Sequence, residues 1–478
     1  MKKARLNLVF GALLLIYYSY VSPKGVNLNR MKLSFKTTIW AIPLIFFFSW
    51  ITAANAQGLI RDSEIEYTLR LVAQPVAKAA GVGRIDIYII NNNNPNAFTT
   101  GGNNIFIHSG LIRQLKSVEM LQSVIAHEIG HITGGHITQR VANIGTATSA
   151  ARLGLLLGLL TAAAGGGEGA VGVAAAAQSV GLRNYLAFTR GQESAADQSG
   201  VRYMARAGID PSAAIDVLNI FRGQEALSVN RQDAYAITHP LSSQRISDLE
   251  TYVAAYQNRP TTQHPNIDYW YARARAKFNS FIGSPKGVLR KLKKTDNGEI
   301  ATFTRAIAYH RLPDKKKSLA AINRLLSMRP NDPYYQELYG QILLENGNSA
   351  GAVSAYAKAV QLAPKDPQML AGLGRAQLAD KSGSSAKVAL ATLKKSYARD
   401  PRNGRMLRDL GVAYAKTGNP GMASVTTAER YALASNFKQA EIHARRAIKL
   451  LPEGSTGWRK AADILAISER LNKRKKKR

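Results

Sequence analysis

A turn returns at a fixed interval in the C-terminal half of this chain. Pro330-Asn331-Asp332-Pro333 recurs as Pro364-Lys365-Asp366-Pro367, 34 residues on, and Asp400-Pro401 follows at the same step. A period of this length holds one helical hairpin. Such a unit cannot bury its apolar face alone, so it must stack on its neighbours. Small residues stand between the turns: Gly340, Ala352 and Ala359, beside Tyr356, then Gly374 and Ala386. They let the two helices of a hairpin approach closely.

The pattern resembles the tetratricopeptide repeat. Gly411, Tyr414 and Ala423 continue it after a short insertion near Ser382 to Ser385, and Tyr431, Ala440, Ala447 and Pro452 mark a last unit. Residues 265–470 are therefore predicted to form an all-α solenoid. The polar stretch from Arg259-Pro260 to Pro265 is the predicted boundary. Residues 57–260 read as a separate α+β domain, which makes the whole chain mainly α. In it, Asp62 to Ala80 has helical spacing, Ile85 to Ile90 reads as a strand, and Asn91 to Pro95 as a turn. Ile105 to Ile107 reads as a second strand, and Ser117 can cap a helix running through His131.

That last helix carries the chemistry. Val124-Ile-Ala-His127-Glu128-Ile-Gly-His131 contains H-E-x-x-H. At i and i+4 both imidazoles leave one helix face, and Glu128 stands beside the first of them, where a carboxylate can act as general base. The chain has no cysteine, so any metal must be held by His, Asp or Glu, which suits one zinc ion. No third histidine has metzincin spacing: Gly134 is in place, but the next histidine, His136, comes one residue early. Glu193-Ser-Ala-Ala-Asp197 offers a carboxylate on a second helix. Glu193 is predicted to be the third ligand, with Asp197, one turn on, orienting a ligand imidazole. His136 is read either as support behind the ligands or as a histidine satisfied by backbone. By spacing alone His239 would be an ordinary loop histidine.

The formal net charge is +33. It points to an anionic partner, whether nucleic acid, membrane surface or acidic protein. No nucleic-acid fold signature accompanies it, so no specific nucleic acid is expected; peripheral contact of the basic surface with a membrane is kept open. The end of the chain, 471–478, reads as a solvated basic tail. Near the start, Met31, Lys32 and Lys36 precede an apolar run from Ile39 to Ile51, followed by Ala54-Asn55-Ala56. This is the pattern of a signal peptide over residues 31–56, with residues 1–30 an over-called extension. The alternative is a retained membrane hairpin.

His127-Glu128-Ile-Gly-His131 with His136, Glu193-Ser-Ala-Ala-Asp197, and Asn96-Ala97-Phe98 followed by Gly101-Gly102 together resemble the HtpX/Oma-type zinc metallopeptidases. The resemblance implies a gluzincin-type site with zinc on His127, His131 and Glu193. It implies that Asn96, Ala97 and Phe98, with the strand Ile105, Phe106 and Ile107, form an edge that binds substrate by strand addition. It makes His239 a regulatory fourth ligand that holds the enzyme inactive. Arg245 would lie near the metal and stabilise the oxyanion. Leu153 to Gln178, rich in Gly and Ala, would be a mobile loop plugging the site; a buried helix pair is the other reading. A signal peptide with C-terminal repeats narrows the resemblance to periplasmic members of Gram-negative bacteria. Those would cleave misfolded or stalled outer-membrane proteins and engage the β-barrel assembly machinery through the repeats. Two further readings compete with that one. In the first the repeats act as a chaperone or scaffold beside a latched protease half. In the second, weaker one, charge alone makes the chain a polyanion binder.

Overall fold

The computed structural model describes residues 58–100, 102–143, 190–227, 231–262, 264–380 and 385–476. The predicted leader segments, the Leu153–Gln178 stretch and most of the Ser382–Ser385 insertion lie outside these residues. All the described residues fall in one compact unit.

Four strands form one sheet: β1 (Leu59–Ile60), β2 (Asp86–Ile90), β3 (Ala97–Thr99) and β4 (Asn104–His108), in the order β1-β2-β4-β3. β2 and β4 run parallel, with Ile87 opposite Ile105 and Ile89 opposite Ile107; β3 runs antiparallel to β4, with Phe98 opposite Phe106. Alternation along the strands sends Ile105 and Ile107 into the main core, while Phe98 and Phe106 stack on the other face, centroids 5.4 Å apart. Both predicted strands are present. The strand Ile105–Ile107 is not an edge, however: it is paired on both sides, and β3 alone forms that border.

The helices that build the site are α1 (Ser63–Ala79), α2 (Ser109–Gln114), α3 (Val118–Thr133), α4 (His136–Asn143), α5 (Arg190–Arg206), α6 (Ala213–Ile220), α7 (Ala234–Thr238) and α8 (Ser243–Ala254). Ser117 caps α3, its hydroxyl accepting from the Met120 amide as expected. α3 packs most closely on α5. A Cβ on Gly130 would lie 2.8 Å from the Ala196 carbonyl oxygen, so this glycine is filled by the partner helix's backbone and not by the metal.

α9 (Pro265–Ile282) follows the polar linker, but it does not begin a separate body. Its Tyr271 and Phe278 sit in the core formed by the sheet, α1 and α3, and its Ala276 in the first core of the repeats. After α10 (Pro285–Lys291) come five hairpins: α11–α12 (Glu299–Arg311, Lys315–Met328), α13–α14 (Pro333–Glu345, Ser349–Leu362), α15–α16 (Pro367–Ala379, Ser385–Arg399), α17–α18 (Gly404–Lys416, Pro420–Leu433) and α19–α20 (Phe437–Leu450, Thr456–Lys476). Two of the three recurring aspartates are helix caps: Asp332 accepts from the amides of Tyr334 and Tyr335, Asp366 from those of Gln368 and Met369, each before a proline at the first helical position, whereas Asp400 lies in the turn before Asn403, which caps α17. Gly340 admits the Tyr356 ring, which would stand 2.6 Å from an added Cβ. Ala386, predicted to play the part of Ala352, is only half-buried. The insertion has shifted the register, and Ala389 is the buried residue. α20 runs to Lys476, so most of the stretch read as a frayed basic tail is helical.

The same three aspartates tie the two halves together. Arg61 meets Asp400 at 2.8 Å, Ser63 Oγ donates to Asp366 at 2.9 Å, and Arg273 bonds Asp332 while its Nε lies 2.6 Å from Glu64. Lys277 adds contacts of 2.7 Å to Asp62 and 3.0 Å to Glu64. The residues 61–64 that open α1 are thus gripped by three successive repeats. α1 itself packs on the metal helix α3.

Candidate metal centre

α3 presents His127 and His131 from one face, and α5 presents Glu193. A loop after α7 brings in His239. Their ligand atoms all lie within 4.8 Å of one another, and all four residues are buried. His127 Nε2 is 3.1 Å from His131 Nε2 and 3.2 Å from His239 Nδ1. Glu193 lies 3.5 Å from His127 Nε2, 3.3 Å from His131 Nε2 and 3.1 Å from His239 Nδ1. Metal–ligand bonds of about 2.0–2.1 Å in a tetrahedron put the ligand atoms about 3.3 Å apart. Four ligand atoms at that spacing form a cage that fits a divalent cation. The donor set fits zinc, and His239 supplies the fourth corner that an open catalytic site keeps free.

The surrounding contacts fix each ligand. Asp197 Oδ1 lies 2.8 Å from His127 Nδ1, so the imidazole turns Nε2 to the centre. His131 Nδ1 is 2.9 Å from His136 Nδ1. His239 donates from Nε2 to the Ala97 carbonyl at 3.1 Å, which leaves Nδ1 for the centre; Tyr235 lies against the ring at 4.7 Å. The sequence signalled neither contact. His239 is placed by long-range neighbours, not by spacing.

Arg245, from the first turn of α8, departs from its expected role. Its Nε and Nη2 reach Asp197 at 2.6 and 3.0 Å, Nη1 lies 2.6 Å from Glu193, and Nη1 also donates to the carbonyls of His239 and Pro240. A guanidinium spent on two carboxylates and two carbonyls holds the ligands in place and is not aimed at an oxyanion. Charge follows the geometry. Burial raises the Glu193 carboxyl, but Arg245 and His239 outweigh it and hold it well below the usual range. Burial likewise opposes ionisation of His127, yet its bonds to Asp197 and Glu193 push it up to about 10. Burial lowers His131 well below its ordinary value.

Glu128 is fully buried, and neither carboxylate oxygen has a hydrogen-bond partner among the described residues; His239 Nε2 is nearest, at 3.3 Å. Burial raises its pKa. An orphaned carboxylate beside a ligand cage is poised to accept a proton. Of the residues expected to bind substrate, Asn96 accepts from the Thr238 hydroxyl at 2.9 Å, Ala97 is covered by His239, and Phe98 points to the aromatic face of the sheet with Phe106.

Comparison with known proteins agrees with this arrangement. Residues 62–253 match peptidase family M48, and residues 343–402 match a tetratricopeptide repeat. The chain is 28% identical over 370 residues to the beta-barrel assembly-enhancing protease of Yersinia pestis, spanning 74% of this chain and 72% of that protein. It is 27% identical over 359 residues to the protein of the same name in Escherichia coli, with the same coverage. A putative beta-barrel assembly-enhancing protease of Vibrio cholerae is 30% identical over 297 residues, 59% of either chain. The H-E-x-x-H helix, the remote glutamate and the stacked hairpins thus have one reading: the chain is a metalloendopeptidase whose residues 62–253 match peptidase family M48 and which carries tetratricopeptide repeats.

Proposed function

We propose that the protein is a zinc endopeptidase of the Gram-negative periplasm that cleaves misfolded or stalled outer-membrane proteins and assists their assembly. The names of its relatives, which specify β-barrel assembly, support the substrate class. The reading is carried by the convergence of His127, His131, Glu193 and His239 within 4.8 Å beside the Glu128 carboxylate, which accepts no hydrogen bond among the described residues. Zinc bound there would supply Lewis acidity, acidifying water and polarising a peptide carbonyl. Glu128 accepts the proton and returns it to the leaving amine. Asp197 and Arg245 keep His127 and Glu193 in register.

His239 bears on regulation. One imidazole fills the fourth ligand position and, through Nε2, takes the Ala97 carbonyl on the outer strand β3. A substrate strand pairing with β3 competes for that carbonyl. Strand addition would then pull the fourth ligand away and open the centre. Removing the imidazole, as in His239→Ala, should raise cleavage of an unfolded barrel protein. The reading of His239 as a latch fails if activity drops together with metal content.

The closed position of His239 also favours a second reading, in which the repeats act as a scaffold for barrel assembly and the protease half stays latched. The variant Glu128→Gln separates the two. For the endopeptidase reading it keeps the metal and stops cleavage of casein or an unfolded barrel; cleavage at the unaltered rate would refute the role given to Glu128. Full cellular function in that variant would favour the scaffold.

A further inference from the structure

The peptidase site accounts for little of the chain's positive charge, and part of the remainder lines a cavity of about 600 Å³ that shares no lining residue with that site. Its walls are the outer strand β1 and the helices α13, α15, α17 and α18 of three successive repeats. Five arginines line it. Two are already paired: Arg61 with Glu66 and Asp400, Arg375 with Asp409. Arg402, Arg405 and Arg430 have no ion pair among the described residues. The local acids do not balance them. Asp62 is held by Lys277, and Glu345 by His310 and Gln341. Burial, reinforced by Asp62, raises the Glu337 carboxyl well above its usual range, which weakens it as a counter-charge. Burial, then Arg375 and Arg408, lower the Arg405 guanidinium, and the charges of Asp409 and Glu345 offset only part of that crowding.

The three arginines stand on different segments: Arg402 before α17, Arg405 in its first turn and Arg430 near the end of α18. Tyr356, Leu344, Ala371 and Ala434 line the same cavity. A compact phosphate needs donors that converge on one point. Cations carried on separate segments, in a lining that also holds apolar side chains, suit a longer ligand carrying several carboxylates and apolar side chains. β1 adds a backbone template. Asn91 donates to the Gly58 carbonyl, so by the antiparallel alternation Leu59, opposite Ile90, turns its amide and carbonyl away from β2. We propose that this cavity binds an extended acidic peptide segment of a partner or client protein, its carboxylates on Arg402, Arg405 and Arg430.

The test uses the full chain carrying Glu128→Gln, so that the probe is not cleaved. A fluorescent, extended acidic peptide and its counterpart with every carboxylate replaced by the amide are titrated by fluorescence anisotropy. The acidic peptide should bind roughly tenfold tighter or more. Each of Arg402→Gln, Arg405→Gln and Arg430→Gln should weaken it by about tenfold, the loss of one charged hydrogen bond, whereas Arg459→Gln on exposed α20 should not. Equal binding of the two peptides, unchanged binding by the triple variant, or an equal effect of Arg459→Gln would overturn the proposal. Displacement of the peptide by inorganic phosphate, or by vesicles of phosphatidylglycerol, at matching concentration would assign the cavity to phosphate or lipid instead. The comparison of the two peptides stands even if the arginine variants do not fold.

Discussion

Replacing Arg273 with methionine tests how firmly the repeats are fastened to the peptidase half. The side chain is fully buried, with Nε 2.6 Å from Glu64, a bond to Asp332, and the guanidinium 4.1 and 4.6 Å from the rings of Tyr335 and Trp270. Breaking a buried ion pair from one side costs about 3–5 kcal/mol. The low end applies here, because Glu64 keeps Lys277 at 3.0 Å and Asp332 keeps the amides of Tyr334 and Tyr335. The two lost ring contacts add about 1 kcal/mol, for a total of about 4 kcal/mol. With a urea slope of about 3 kcal/mol/M, the unfolding midpoint followed by circular dichroism should fall by about 1 M or more. Replacing Glu64 and Asp332 by apolar residues in the same protein should recover most of the loss. A midpoint within about 0.3 M of wild type would refute the claim that this triad fastens the halves.

Three shorter predictions follow from the site and its supports. Gly130→Ala drives a methyl against the Ala196 backbone at 2.8 Å; it should cost about 1–3 kcal/mol by parting α3 from α5 and should release metal, measurable by a chelator competition. Asp197→Asn removes the acceptor that orients His127, and metal affinity in the same competition should fall about 10–100-fold. His108 is lowered to about 4 by burial, against a backbone bond to Asn94. Its folded pKa lies below the unfolded one, so the unfolded chain binds the proton first. Stability is whole above about pH 6.5 and falls as pH drops toward 4, by about 3 kcal/mol in all. His108→Asn should lose that portion of the acid sensitivity in denaturation midpoints measured across this range.

The parts of the fold readable from sequence are those whose signal is local. His127 and His131 share a helix face at i and i+4, Glu193 and Asp197 repeat that spacing on α5, and a 34-residue step marks the hairpins that begin at Glu299, Pro333 and Pro367. What local pattern could not supply is where long-range contacts place a side chain. Arg245 carries no mark that its guanidinium is consumed by Glu193 and Asp197. His239 reaches the centre only because Tyr235 and the Ala97 carbonyl hold its ring. β1 is too short for a period to appear. Arg61, Ser63 and Glu64 look like an ordinary helix start until Asp332, Asp366 and Asp400, already used as caps or turn residues, prove to bind that segment too. The inserted residues after Asp380 conceal that Ala389, not Ala386, is the buried small residue.

Metal analysis of the purified chain, combined with X-ray absorption at the zinc edge, bears most directly on the convergence of two imidazoles and a remote carboxylate. One zinc per chain should be found, coordinated by nitrogen and oxygen without sulfur, and Glu193→Ala should lose it while His310→Ala keeps it. A chain that purifies without metal, or a Glu193→Ala variant that holds zinc with undiminished affinity, would contradict the assignment.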